Sequence, residues 1–190
     1  KETFETFFSS WNSFKEEVTI LIVGICGSGK TTFLNGVANY LYGVKWEDDF
    51  RFKVVSSEDN DEINDPSKNQ TTSVTAYTFY WQPGFPISYT VTLIDTPGFG
   101  NIRGIEADMN TINQIKSFFT DKSCCGIDSL NAVAFINKSD MVRYFSSKQF
   151  MVDSILKLFG KDIFDNFIMI ATFADAGEPR VLETLRSRGI

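Results

Sequence analysis

Short, nearly continuous apolar runs alternate along the chain with stretches of helical period. Residues 18–23, 91–94, 132–136 and 167–171 are runs of the kind needed by strands buried on both faces. Between them, residues 30–41 place Phe33, Leu34, Val37, Ala38 and Leu41 on one stripe and meet Gly43, and residues 150–159 meet Gly160 in the same way. Both read as helices stopped by glycine. Strand and helix in alternation predict a parallel sheet with helices packed on it. One hairpin interrupts the rhythm: residues 74–81, rich in threonine and aromatic side chains, turn through Gln82-Pro83-Gly84 and return as residues 89–95.

Composition narrows the picture. A chain of 190 residues with 43% apolar content can build one ordinary core but not a second independent one. The reading is an amphipathic helix over residues 1–17 followed by a single domain over 18–190. Within the first segment, Phe4, Phe7, Phe8, Trp11 and Phe14 fall at helical spacing. That stripe is expected to dock on the domain itself. Insertion into a membrane surface is the sharper alternative, opposed by Glu2, Glu5, Glu16 and Glu17.

A net charge of −6 and an isoelectric point near 4.7 lack the clustered Lys and Arg of a nucleic-acid partner. The three cysteines make no disulfide framework, and there is no histidine to complete a Cys/His zinc site. No run approaches membrane-spanning length, and the polar start is not a secretory signal. These features fit a cytoplasmic protein, free or peripheral on a membrane. The acidic stretch 56–69 is too charged to pack and reads as a solvated loop.

The most specific string is Gly24-Ile25-Cys26-Gly27-Ser28-Gly29-Lys30-Thr31, which matches GxxxxGK[ST] between an apolar strand and an amphipathic helix. Such a loop aims backbone N–H groups at phosphate and adds the positive end of the helix dipole. Lys30 is expected on the β- and γ-phosphates. Thr31 offers a hydroxyl to Mg²⁺, with Thr32 beside it. A second string, Asp95-Thr96-Pro97-Gly98, ends the run 91–94 and reads as DxxG. There Asp95 can hold a magnesium-bound water, and Gly98 can offer its N–H to a γ-phosphate. On its own that string is an ordinary turn; with the phosphate loop it gains weight.

Two acids compete for reading the base. Asn137-Lys138-Ser139-Asp140 fits [NT]KxD, whereas Thr172-Phe173-Ala174-Asp175 fits only Thr-x-x-Asp. A count of parallel strands favours Asp175, which follows the fourth, over Asp140, which follows the third. A carboxylate in that place accepts from both N1–H and N2–H₂ of guanine, a donor pair adenine lacks.

Taken together, these strings resemble those of the avirulence-induced-gene type GTPases, also called GTPases of immunity-associated proteins, which are related to septins and chloroplast import GTPases. The resemblance covers about residues 19–185. It rests on the phosphate loop, on Asp95-Thr96-Pro97-Gly98-Phe99-Gly100, and on Leu158-Phe159-Gly160-Lys161 before an apolar strand and Thr172-x-x-Asp175. Arg143-Tyr144-Phe145 looks like the family's segment after the third parallel strand, which would make residues 137–140 a decoy. The resemblance implies an α/β P-loop GTPase of the Ras-like type, with a mostly parallel sheet, one antiparallel strand and helices on both faces. It implies GTP and GDP with Mg²⁺ as ligands, a homodimer or oligomer, and a switch threonine that looks like Thr75, with Thr71 and Thr72 as alternatives.

Three departures stand out. Phe99 falls where many small GTPases carry a water-positioning glutamine, which predicts slow hydrolysis. Cys26 faces the γ-phosphate position and reads as a small tolerated side chain rather than a redox gate. The chain reaches Ile190 soon after a helix expected from Pro179, before the last strand and helix of such domains. The function classes that follow are a slow GTPase switch, a nucleotide-dependent oligomerising scaffold, and an ATP-using P-loop enzyme.

Overall fold

Five strands form one sheet in the order β2-β3-β1-β4-β5. The computed structural model describes residues 16–55, 71–100, 104–121, 127, 129–140, 146–175 and 179–180, with residues 146–148 and 161 as backbone only. The aromatic stripe of residues 4–14, the acidic stretch 56–69, Cys124, Cys125 and Arg143-Tyr144-Phe145 lie outside the described residues. Glu17, assigned from the sequence to the first helix, is instead the first residue of β1.

β1 (Glu17–Gly24) takes the centre because Leu21, Ile22 and Val23 expose nothing to solvent on either face. β3 (Thr90–Asp95) runs parallel on one side and is buried throughout; β4 (Ala132–Lys138) runs parallel on the other, followed by parallel β5 (Phe167–Thr172). β2 (Thr75–Phe79) is antiparallel to β3 and lies at the edge, as the hairpin pattern predicts. The turn at residues 82–85 closes with the Phe85 N–H on the Gln82 carbonyl at 3.1 Å.

Alternation along the strands divides the core in two. On one face Leu21, Val23, Ile94 and Val133 meet Phe99, Ile115, Met151 and Ile155, which come from the loop after β3 and from helices α2 (Ile105–Thr120) and α3 (Ser146–Phe159). On the other, Ile22, Leu93, Ala134 and Ile136 pack against Leu34, Ala38 and Leu41 of helix α1 (Lys30–Leu41). Helices therefore cover both faces. Gly43 follows α1 with φ 69°, in the region that ends a helix, and Gly160 follows α3 with φ 87° and ψ 171°, an extended conformation at positive φ that only glycine adopts readily.

Because β1, β3, β4 and β5 are parallel, their carboxyl ends open on one edge. Ile22 lies opposite Asp95, Gly24 opposite Ile136, and Lys138 opposite Thr172. In an open parallel sheet that edge is where ligands bind. Among the described residues, no helix is long and apolar enough to cross a membrane.

Candidate functional site

The phosphate-type loop leaves β1 at Gly24 and enters α1 at Lys30. Gly27 and Gly29 take φ values of 70° and 87°, which side chains disfavour, so the loop folds back tightly enough to start a helix directly from a strand. Ser28 is fully buried; its hydroxyl would lie 2.8 Å from a Cβ on Gly24 and has no hydrogen-bond partner among the described residues, while its N–H donates to the Ile25 carbonyl at 3.2 Å. Residues 26, 27, 29, 30, 31 and 32 line a cleft of about 260 Å³ together with Thr71, Gly98 and Phe173.

Lys30 is 8% exposed and donates from Nζ to the carbonyls of Gly24 and Ile25, each at 3.2 Å. Burial lowers its pKa, and the nearby Asp95 carboxylate partly offsets that. Asp95 is 1% exposed; burial raises its pKa against the opposing effects of Lys30, the Thr71 hydroxyl and the Thr96 N–H. A buried, reluctantly solvated carboxylate beside a threonine hydroxyl is a fitting donor set for a hard cation that takes only one or two protein oxygens and completes its shell with water and phosphate. Among the described residues no group of three or more acids or cysteines forms a self-sufficient cage.

The DxxG turn is joined to the phosphate loop by backbone. Cys26 N–H donates to the Phe99 carbonyl at 2.8 Å, and Phe99 N–H donates to the Gly24 carbonyl at 3.1 Å. Thr96 anchors the turn from below through its hydroxyl on the Ile22 carbonyl at 2.8 Å. Gly98 lies so close that a Cβ there would stand 2.7 Å from Cys26 Sγ and 2.8 Å from Cys26 Cα. Gly98→Ala must therefore separate the two loops. We expect it to destabilise the fold by about 1–3 kcal/mol, as overpacking does, measured as a lower urea midpoint at unchanged slope.

Phe99 is fully buried in the core. Its ring cannot stand in for a side chain that positions water. Cys26 donates its thiol to the Gly98 carbonyl at 3.2 Å, and burial raises its pKa, so the thiolate a redox gate needs is disfavoured. The structural reading of Cys26 gains support.

Thr75 is the first residue of β2, opposite Asp95 across the antiparallel pair. The threonine brought into the cleft from this segment is Thr71, whose hydroxyl donates to Asp95 Oδ2 at 3.1 Å. The carbonyl of Thr72 accepts from Gln114 of α2 at 3.4 Å.

Both base-reading candidates follow strands as counted. Asp140 comes two residues after β4 and Asp175 three after β5, where it is exposed. Thr172 donates its hydroxyl to the carbonyls of Ser28 at 2.6 Å and Asn137 at 3.1 Å, so it ties the β5 end to the phosphate loop and to β4. Two contributions escape sequence reasoning. Asp108 of α2, 4% exposed, accepts the Gly100 N–H at 2.8 Å and holds the exit of the DxxG turn. Phe173 lies against Gly29 at the cleft. Neither carries a local signal, because each contact joins segments that no motif spans.

The order of strands, the strand–loop–helix with its lysine and the DxxG turn together define an α/β P-loop GTPase fold. No family model matches the chain, and no curated protein matches it in sequence. Among solved structures, Toc33 from Arabidopsis thaliana in complex with GDP and Mg²⁺ is similar at TM-score 0.58 and 19% identity, covering 97% of this chain and 64% of that one. Toc33 with Mg²⁺ and GMPPNP gives 0.56 and 18% over the same shares. A structure of the chloroplast translocon components atToc33 and psToc159, for which dimerisation is important for GTPase activity, gives 0.62 and 16%, covering 96% of this chain and 65% of that one. The chain thus spans less than two thirds of the length of these neighbours.

Proposed function

We propose that this chain is a guanine-nucleotide-binding switch with slow, Mg²⁺-dependent GTP hydrolysis coupled to self-association. The observation that carries the reading is the convergence in one cleft of the lysine-bearing loop, Thr71 and Gly98, with Asp95 buried behind it and bonded to the Thr71 hydroxyl. In this reading Lys30 and the N–H groups of residues 27–31 bind the β- and γ-phosphates. Gly98 meets the γ-phosphate, Thr172 fixes the base-side loop, and Asp175 reads guanine. Thr31 and Asp95 hold Mg²⁺, the latter through water; when bound, that ion neutralises charge developing on the phosphate oxygens. Thr71 is the switch threonine better supported by geometry than Thr75, since its hydroxyl already reaches Asp95.

Nucleotide selectivity tests the reading. Displacement of a fluorescent guanine nucleotide in magnesium is expected with GTP and GDP and not with ATP; equal displacement by ATP would transfer the chain to the ATP-using class. The buried Phe99 supports slow intrinsic turnover, and the Toc neighbours, in which dimerisation matters for activity, support a site completed by a second copy. Turnover per molecule is then expected to rise with protein concentration. A rate per molecule independent of concentration removes the coupling, and no turnover at any concentration favours a scaffold.

A further inference from the structure

Phe173 is the only non-glycine residue at positive φ, 53°, among the described residues. A bulky side chain in that region costs about 1–3 kcal/mol and persists only where its surroundings over-determine it. Here they do. The Ser139 N–H donates to the Thr172 carbonyl at 2.8 Å, and the Ser139 hydroxyl donates to the Phe173 carbonyl at 2.8 Å. The Thr172 hydroxyl bonds to carbonyls of the phosphate loop and of β4.

This clamp does not bury the ring. Phe173 is 70% exposed, and its Cε2 lies 3.5 Å from where a Cβ on Gly29 would stand. Lys138 Nζ stands 5.4 Å from the ring centroid, within cation–π range, and most of the ring surface is left open beside the cleft. A strained, fixed, solvent-facing aromatic ring at the rim of a phosphate cleft is suited to one kind of ligand surface, the flat face of a base.

We propose that Phe173 is the nucleobase-stacking platform of this cleft, set by Ser139 and Thr172 and flanked by Lys138. The inference rests on the reading of residues 24–31 as the phosphate loop of a nucleotide site. It also gives the Asn137-Lys138-Ser139 string a role, since these residues position the platform. Every base has a π-face, so stacking supplies affinity without discrimination. Selectivity is left to hydrogen bonds at the base edge.

The test compares wild type, Phe173→Ala and Phe173→Trp for binding of GDP, ADP and inorganic tripolyphosphate in magnesium by calorimetry. Phe173→Ala is expected to weaken GDP on the order of tenfold, as base–aromatic stacking predicts, and to leave tripolyphosphate binding unchanged. Phe173→Trp is expected to retain GDP affinity and to gain an indole emission that GDP quenches and tripolyphosphate does not, read as a difference from the wild-type tryptophans. Unchanged GDP affinity in the alanine variant overturns the proposal. Equal loss of GDP and tripolyphosphate also overturns it, because the ring would then only shape the loop. Thermal melting controls for folding, and the ring's exposure predicts no shift. If wild type binds ADP as tightly as GDP and Phe173→Ala weakens both, the platform stands and the guanine assignment falls.

Discussion

Asp175→Asn is expected to turn the nucleotide preference from guanine toward xanthine by on the order of a hundredfold. A carboxylate accepts from both donors on the Watson–Crick edge of guanine, N1–H and N2–H₂. Xanthine presents a carbonyl in place of the amino group, so an amide that accepts once and donates once suits it better. Hydrogen bonds to a charged group contribute about 1.5–3 kcal/mol each, and exchanging one such bond for a mismatch accounts for the factor. Asp140→Asn is expected to leave the preference unchanged, because Asp140 follows β4 whereas Asp175 follows β5. The check is displacement of a labelled guanine nucleotide by GTP and XTP for both variants. A shift with Asp140→Asn and none with Asp175→Asn would show that strand order does not locate the base here.

That contrast shows what sequence can and cannot deliver. Four parallel strands are legible because burial on both faces writes a continuous apolar run, and the runs beginning at Val18, Val91, Ala132 and Phe167 lie within a residue or so of the observed starts. The phosphate loop is legible because its chemistry is local, with glycines, lysine and threonine in one contiguous string. Helix α2 is not marked out, since its buried positions are Asp108, Thr111 and Ile115 and two of these are polar. Asp108 is buried to hold the Gly100 N–H, a tertiary duty that disguises a core-facing position as a surface one. The sequence pattern places the start of α3 late for a related reason: Ser146 to Gln149 carry no apolar residue to announce it.

The threonine that meets Asp95 illustrates the same limit. Motif resemblance points to Thr75, which pairs opposite Asp95 as the first residue of β2, whereas the hydroxyl bonded to Asp95 is that of Thr71, before the strand. A side-chain bond between residues 24 positions apart depends on how two segments close on each other, which no spacing rule encodes. The Asn137 to Asp140 string shows the converse. It matches a base-reading motif and lies at the right edge of the sheet, but in its observed bonds the Asn137 carbonyl accepts the Thr172 hydroxyl and Ser139 donates from its N–H and hydroxyl to the carbonyls of Thr172 and Phe173.

Lys30→Met is expected to abolish tight triphosphate binding while making the nucleotide-free protein more stable. In the free protein Lys30 is a buried cation whose two acceptors do not depend on it. The Gly24 carbonyl also takes the Phe99 N–H at 3.1 Å, and the Ile25 carbonyl also takes the Ser28 N–H at 3.2 Å. Methionine keeps the stem's volume and orphans neither oxygen. Asp95 loses a favourable neighbour but keeps its bonds from Thr71 and Thr96. Burial costs the Lys30 charge more than Asp95 returns, as the downward direction of its pKa shows, so an apolar side chain of similar size removes a net desolvation cost, and a gain of about 1 kcal/mol would raise the melting temperature by roughly 2–4 °C for a domain of this size. The pH dependence supplies the sign. Because burial lowers the folded-state pKa of Lys30 below the ordinary 10.5, the unfolded chain binds the extra proton between the two values. Wild-type stability from this group therefore rises as pH climbs through that window. The methionine variant should lack the rise. Loss of two charge-assisted bonds to phosphate oxygens predicts weaker GTP binding on the order of a thousandfold. Calorimetric melting across alkaline pH, paired with GTP titration at neutral pH, measures both effects in one variant. A lower melting temperature with GTP affinity retained would mean that Lys30 is a structural residue of the loop and that the phosphates lie elsewhere.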